Sequence, residues 1–207
     1  MGAAKRRERR PVERPDEIAE AALKLFCAKG YNSTTIDEIA AAAGITKGAV
    51  YHHFDSKEAV LESAMTAFFD RAFQQATADV NKLPLTDAAS RVHAILSAAF
   101  DLWITTEFAS VFCIVFGEVG KGVPRLREHF LKLGPFRGWD ALAAVLYDGQ
   151  RQGTFRSDLD ADVLARGIAS ALGMQCIVLS AAGYSKGRLQ REFEKTLSAQ
   201  LKLLQIT

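Results

Sequence analysis

Residues 34–57, TTIDEIAAAAGITKGAVYHHFDSK, are the stretch that decides the fold. Ile36, Ile39, Ala40 and Ala43 recur at i, i+3, i+4 and i+7, one apolar stripe on a helix. Thr35 followed three residues later by Glu38 is a capping box, which predicts where that helix begins. Gly44 is the expected left-handed stop, since a residue without Cβ enters that region at no steric cost. Ile45 returns to the core and Thr46 can cap a second helix running to about Phe54. Val50 and Phe54, four apart, hold the second helix against the first. Gly48, Tyr51, His52 and Asp55 then lie mostly on its outward side, with Thr46 and Lys47 at its tip. A short helix buttressed from behind, with polar and basic groups at its tip and front, meets the steric and chemical demands of a DNA major groove.

The same residues resemble a known pattern. Thr34-Thr35, Ile39-Ala40, Ala43-Gly44-Ile45 and Lys47-Gly48-x-x-Tyr51-x-His53-Phe54-x-Ser56-Lys57-Glu58 are similar to the helix-turn-helix signature of the TetR family of bacterial transcriptional regulators. So is the approach to it, Leu25-Phe26 and then Gly30-Tyr31. The resemblance covers roughly residues 15–62 without gaps, and beyond that rests only on length and helical character. It implies that Thr46, Lys47, Gly48 and Tyr51 make base-edge and neighbouring contacts. Thr35, His52, His53 and Lys57 are then placed to touch phosphates, Lys57 also sitting at a helix N-terminus. His53 faces partly inward on this reading and can instead lock the second helix in place. Ala49 offers no hydrogen bond. The family further implies a two-fold dimer, formed as a four-helix bundle by the last two helices of each subunit. It implies, too, a ligand that changes the spacing of the two reading heads.

Composition sets bounds on these readings. The 207 residues are 49% apolar and 24% charged, with a formal charge of +2. The chain is therefore no general basic coat for nucleic acid. Residues 1–14 hold six basic against two acidic side chains, so the remainder is slightly acidic and any grip on phosphate is local. That arm is either a solvated tail or a basic extension along phosphates or into a minor groove. Cys27, Cys113 and Cys176 follow no zinc or disulfide spacing, which fits a reducing cytoplasm. Polar residues follow the basic start, so no signal peptide is expected. Residues 167–185 lack charge over nearly the length of a membrane span. Their small residues and Gln175 favour a helix buried on most sides, and no membrane partner is expected.

Along the chain, the spacing predicts a helix from Pro15 or Asp16 to Gly30, with Ile18, Ala22, Leu25 and Phe26 inward and Cys27 as core filler. A long helix over about 56–80, opened by a capping box of Asp55 and Glu58, links this unit to a second half. There helices are predicted from Asp87 to near Thr105, Phe108 to Val119, Arg125 to Leu133, Phe136 to Gln152, Asp160 to about Ala182 and Lys186 to about Gln205. Large apolar residues are abundant here, and a bundle of mismatched large side chains can hold a ligand between helices. Phe100, Trp103, Phe112, Phe116 and Trp139 are candidate walls, with His93, Cys113, His129 and Gln175 as candidate polar contacts. Leu164, Ile168, Ala171, Leu172, Leu189, Phe193, Leu197 and Leu201 are candidates for the dimer interface.

No catalytic constellation emerges. There is no GxSxG, P-loop or GxGxxG. His52 and His53 point about 100° apart on a helix and cannot clamp one metal. Asp158, Asp160 and Asp162 alternate as in a calcium loop, but Val163 and Ala169 stand where glycine and a closing glutamate belong. The expectation is an all-α chain needing no cofactor. It comprises a basic arm (1–14), an N-terminal three-helix helix-turn-helix DNA-binding domain (15–58) and a C-terminal helical ligand-binding and dimerisation domain (59–207). Its partners would be a pseudo-palindromic double-stranded DNA operator, a second copy of itself and a small apolar or aromatic effector. Two alternatives stand beside this repressor: a DNA-binding regulator controlled by a partner or by cysteine oxidation, and, more remotely, an all-helical enzyme.

Overall fold

The structure is a computed structural model that describes residues 15–80, 82–118, 124–133 and 135–205; the basic arm lies outside them. Among the described residues the fold is helical: α1 (Pro15–Lys29), α2 (Ile36–Ala43), α3 (Lys47–His53), α4 (Lys57–Val80), α5 (Ala88–Trp103), α6 (Thr106–Cys113), α7 (Pro124–Leu133), α8 (Pro135–Arg151), α9 (Ala161–Ala181) and α10 (Lys186–Leu204). Helix α6 continues as a single π-helical segment, Ile114–Glu118, where the sequence predicts unbroken α-helix. The one extended pairing among these residues is an isolated bridge between Phe155 and Gln205.

The local signals are realised at most helix ends. Thr35 and Glu38 form the reciprocal capping box of α2, and Gly44 closes it with φ +73°. Thr46, Asp87 and Asp160 cap α3, α5 and α9 through their side chains. At α4 the expectation needs correcting. Ser56, not Asp55, caps it, its Oγ accepting from the Ala59 N–H at 3.2 Å. Lys57 therefore becomes the first helical residue.

Two apolar clusters hold the helices together. The first contains Ile18, Phe26, Ile39, Val50, Phe54, Val60, Met65 and Phe69, and continues into Phe108, Val111, Val115, Leu126 and Phe130. The packing of α1–α3 is thus continuous with α4, α6 and α7. The second gathers Val92, Leu96, Phe100, Leu142, Leu146, Leu172, Phe193 and Leu197 from α5, α8, α9 and α10, with Phe155 from the α8–α9 connection. Gly149 on α8 is buried against Phe155, whose ring lies 2.3 Å from where a Cβ would sit, so no larger residue fits without repacking. The 24 residues of α4 extend about 36 Å and carry the helix-turn-helix onto the rest of the chain.

Candidate nucleic-acid interface and ligand cavity

Helix α3 is anchored by its rear face. Val50 and Phe54 are buried, while Thr46, Lys47, Gly48, Tyr51, His52 and His53 are exposed. His53 is therefore on the open side rather than turned inward, and its ring meets those of His52 and Phe54 at the helix end. The exposed residues divide into two groups. Thr35 and Thr46 spend their hydroxyls as helix caps, on the N–H groups of Glu38 and Ala49. Lys47 reaches back to Asp37 of α2 at 2.8 Å, and that hydrogen bond raises its pKa. Both partners are more than half exposed, so the pair is weak and exchangeable for a phosphate. Gly48, Tyr51, His52 and His53 form the open remainder of the face. Tyr51 is 48% exposed, a large aromatic held out toward solvent.

Lys57 is placed differently from the sequence expectation. Its ammonium donates to the carbonyl oxygens of Tyr31 at 2.9 Å, Thr34 at 3.0 Å and Asn32 at 3.5 Å, and lies 4.4 Å above the Tyr31 ring. Three N–H donors and three carbonyls match in number. The side chain therefore pins the α1–α2 turn, whose Thr34 is itself buried and donates to Gly30 O at 2.8 Å. In this arrangement Lys57 positions the helix-turn-helix and presents no free donor to a phosphate.

A cavity of about 460 Å³ lies between the two clusters. This is within the size range of sites for small organic ligands, about 300–1,000 Å³. Phe69, Phe108 and Phe130 of the first cluster face Leu96, Leu142 and Val145 of the second across it. Trp103, Phe112, Phe116 and Trp139 line it as the sequence suggests. A Cβ at Gly173 would come within 3.2 Å of the Trp103 ring, so glycine lets α9 approach that wall.

The other candidates lie elsewhere. Phe100 is buried against Phe193 in the second cluster. His93 is exposed, with Nε2 3.0 Å from Glu194 and Nδ1 3.2 Å from the Ser97 hydroxyl. Cys113 is exposed, and Gln175 is half-buried away from the lining. His129 Nε2 sits 3.0 Å from Thr66 Oγ1 and 3.1 Å from Glu62 O, tying α7 to α4. The two histidines are engaged with neighbouring helices, which is what an apolar face usually does with a histidine. What the sequence reading missed is a second stripe on α5. Arg91, Ile95, Ala98 and Leu102, at spacings of four, three and four beside the core stripe, all line the cavity. Two of the aspartates compared with a calcium loop are also engaged: Asp158 pairs with Arg156 Nε at 2.7 Å, and Asp160 caps α9.

Comparison with known proteins agrees with this geometry. Residues 18–77 match the family described as bacterial regulatory proteins, tetR family. The HTH-type transcriptional repressor KstR2 of Rhodococcus jostii is 30% identical over 153 residues, covering 74% of this chain and 73% of that protein. The chain belongs to the TetR family. As a member it is a DNA-binding transcriptional regulator and not an enzyme. Its whole fold is shared with a putative TetR-family regulator from Mesorhizobium loti, at a TM-score of 0.78 and 21% identity, over 93% of this chain and 96% of that one. A putative transcriptional regulator from Saccharomonospora viridis, seen in complex with choline, matches with a TM-score of 0.72 and 26% identity, over 91% and 95% of the two chains.

In this TetR-family regulator the surfaces of α9 and α10 differ from expectation. Leu172, Leu189, Phe193, Leu197 and Ile168 are buried in the chain's own second cluster, with Leu164 and Leu201 packed against it. The leucine-rich stripes are thus consumed by packing of α9 and α10 on each other and on α5 and α8. Of the candidate interface residues only Ala171 is exposed. It belongs to a different face, with Val163, Gly167, Met174 and Val178, where Val163, Met174 and Val178 are each at least half exposed. Helix α9 is long and apolar enough to cross a membrane. Rather than being buried on most sides, it packs by one face only and leaves this second apolar face open.

Proposed function

We propose that this protein is a homodimeric repressor that leaves its operator when a small apolar molecule occupies the cavity. Residues 15–58 read DNA; residues 59–207 hold the effector and the second subunit. Helix α3 enters the major groove, with Tyr51 and Gly48 nearest the base edges and Lys47 and Thr46 at the tip. His52, His53 and Thr35 lie toward the phosphates. The open α9 face, Val163–Gly167–Ala171–Met174–Val178, meets its two-fold copy in the cytoplasm, where the operator is found. Two copies of α3 then read half-sites about one helical turn, roughly 34–36 Å, or a multiple of it apart.

The observation that carries this reading is the cavity's place between the two packing clusters. A molecule that fits better in one relative placement of these clusters biases the position of α3 by its differential affinity, and a few kcal/mol suffices. Burial pushes the thiols of Cys27 and Cys176 up, the latter to about 11, which disfavours control by oxidation at either. The test is to recover the DNA that the purified protein retains from a genomic pool, then to titrate that complex with apolar compounds. A palindromic site released by such a compound is expected; a site with no two-fold symmetry, or one indifferent to every compound that enters the cavity, overturns the reading.

A further inference from the structure

Resting on the proposal that the cavity holds the effector, we propose that the effector class is an elongated apolar molecule with one terminal carboxylate, and that Arg91 receives that group. Among the described lining residues Arg91 is the one charged side chain; Ser170 is the one hydroxyl, and the rest are aromatic, aliphatic, glycine or methionine. Its side chain is only 13% exposed. A cation withdrawn this far from water requires a counter-charge. Among the described residues the one at hand, Asp148 on α8, is 43% exposed and stands 3.4 Å from Arg91 Nη1. Charge-assisted pairs settle at about 2.7–2.9 Å, so this pairing is loose. The planar guanidinium offers paired donors that match a second carboxylate, in a wall otherwise unable to solvate an ion.

Position adds to chemistry. Arg91 lies in the first turns of α5, and the lining stripe continues through Ile95, Ala98 and Leu102. Eleven residues of helix span about 16 Å, so the cation stands at one end of a long apolar track rather than beside its middle. Trp103, the last residue of α5, and Phe108 and Phe112 of α6, which follows it, line the cavity as well. A ligand matching this distribution carries its charge at a terminus. If Arg91 and Asp148 merely fastened α5 to α8, ligand charge would be irrelevant to binding.

The chain has two tryptophans, and both, Trp103 and Trp139, line the cavity, so intrinsic fluorescence reports its occupancy. The full-length protein is titrated with dodecanoate and with dodecan-1-ol, both below their aggregation limits. The expected result is an acid bound about tenfold or more tighter than the alcohol. Arg91→Met should abolish that preference while leaving alcohol binding in place, and Arg91→Lys should retain part of it. Asp148→Asn, which keeps the arginine and removes its competing carboxylate, should strengthen acid binding and carries the test if Arg91→Met does not fold. Equal affinities in the unaltered protein, a preference that survives Arg91→Met, or acid binding unchanged by Asp148→Asn would each overturn the assignment. If the alcohol binds and the acid gains nothing, only the carboxylate proposal fails; if neither quenches either tryptophan, the cavity reading fails with it.

Discussion

The reading head and the cavity are built in opposite ways. In the head, every device lies within the 24 residues 34–57: a capping box, a left-handed glycine, a second cap and two buried anchors four apart. The walls of the cavity come from six helices and the π segment, between Phe69 and Ile177. Trp103 and Gly173, which meet in its wall, are 70 residues apart in the chain. A local code keeps its meaning wherever it is placed, whereas a wall exists only once the tertiary packing brings its sides together. The two regions nevertheless meet in one cluster, in which Phe26 of α1 and Phe130 of α7 both take part.

The sharpest way to break that comparison is to cut the shared packing. Phe130 is almost wholly buried, lines the cavity and stands edge-on to Phe69 and Phe116, with ring centroids 5.5 and 5.7 Å away. Phe130→Ala should cost about 3–5 kcal/mol and lower the melting temperature of the whole described body in a single transition. Separate melting of the head, seen as DNA binding that persists after the rest has unfolded, would mean that the two regions are energetically independent. Tyr51→Ala tests the head alone. Its side chain is half in solvent, so the melting temperature should not change, while specific DNA affinity should fall by about 1–3 kcal/mol, a factor of roughly 5–150. Retained discrimination between operator and scrambled duplex would remove Tyr51 from the reading surface.

The same contrast explains how much was legible in the sequence. Helix starts and stops were readable at Thr35, Gly44, Thr46, Asp87 and Asp160 because each is decided by a side chain within three residues of the backbone group it serves. The cavity was readable only as an excess of large apolar residues. Phe100 and Trp103 sit on one face of the same helix, three residues apart, yet one fills the core and the other lines a void. That choice is made by Phe193 and Gly173, which no local pattern announces. Arg91 was overlooked because its stripe runs beside a stronger one, Val92, Leu96 and Phe100. The leucines of α9 and α10 were legible as apolar but not as spoken for, since sequence periodicity does not say which partner fills a face first.

Lys57 sharpens the comparison within the head itself, because here a residue read as functional does a structural task. With its ammonium spent on the carbonyls of residues 31, 32 and 34, Lys57→Met should destabilise the protein by about 1–2 kcal/mol, as those carbonyls lose a charged partner. The slope of log DNA affinity against log salt should stay at its unaltered value. A slope reduced in magnitude by about one, with stability unchanged, would return Lys57 to the phosphates.

The smallest expected effect concerns Glu38, which serves both the local code and a longer-range contact. Its carboxylate pairs with Lys29 of α1 and accepts from the Thr35 N–H at 3.0 Å. The Lys29 hydrogen bond first, and that backbone bond second, lower its pKa from 4.5 to about 2. A carboxyl whose folded pKa lies below its unfolded value stabilises the fold fully above about pH 4.5. That contribution is lost as pH falls toward 2. Glutamine in this position keeps the geometry of the capping box but cannot ionise. The urea midpoint of the unaltered protein should therefore exceed that of Glu38→Gln by a small, constant margin above pH 4.5, and the margin should close between pH 4.5 and 2. Because the pair is exposed, added salt should shrink the Lys29 part of the margin and spare the part held by the Thr35 N–H. A margin independent of pH would mean that the cap works by hydrogen bonding alone, and that the charge at the start of α2 contributes nothing to holding the reading head against α1.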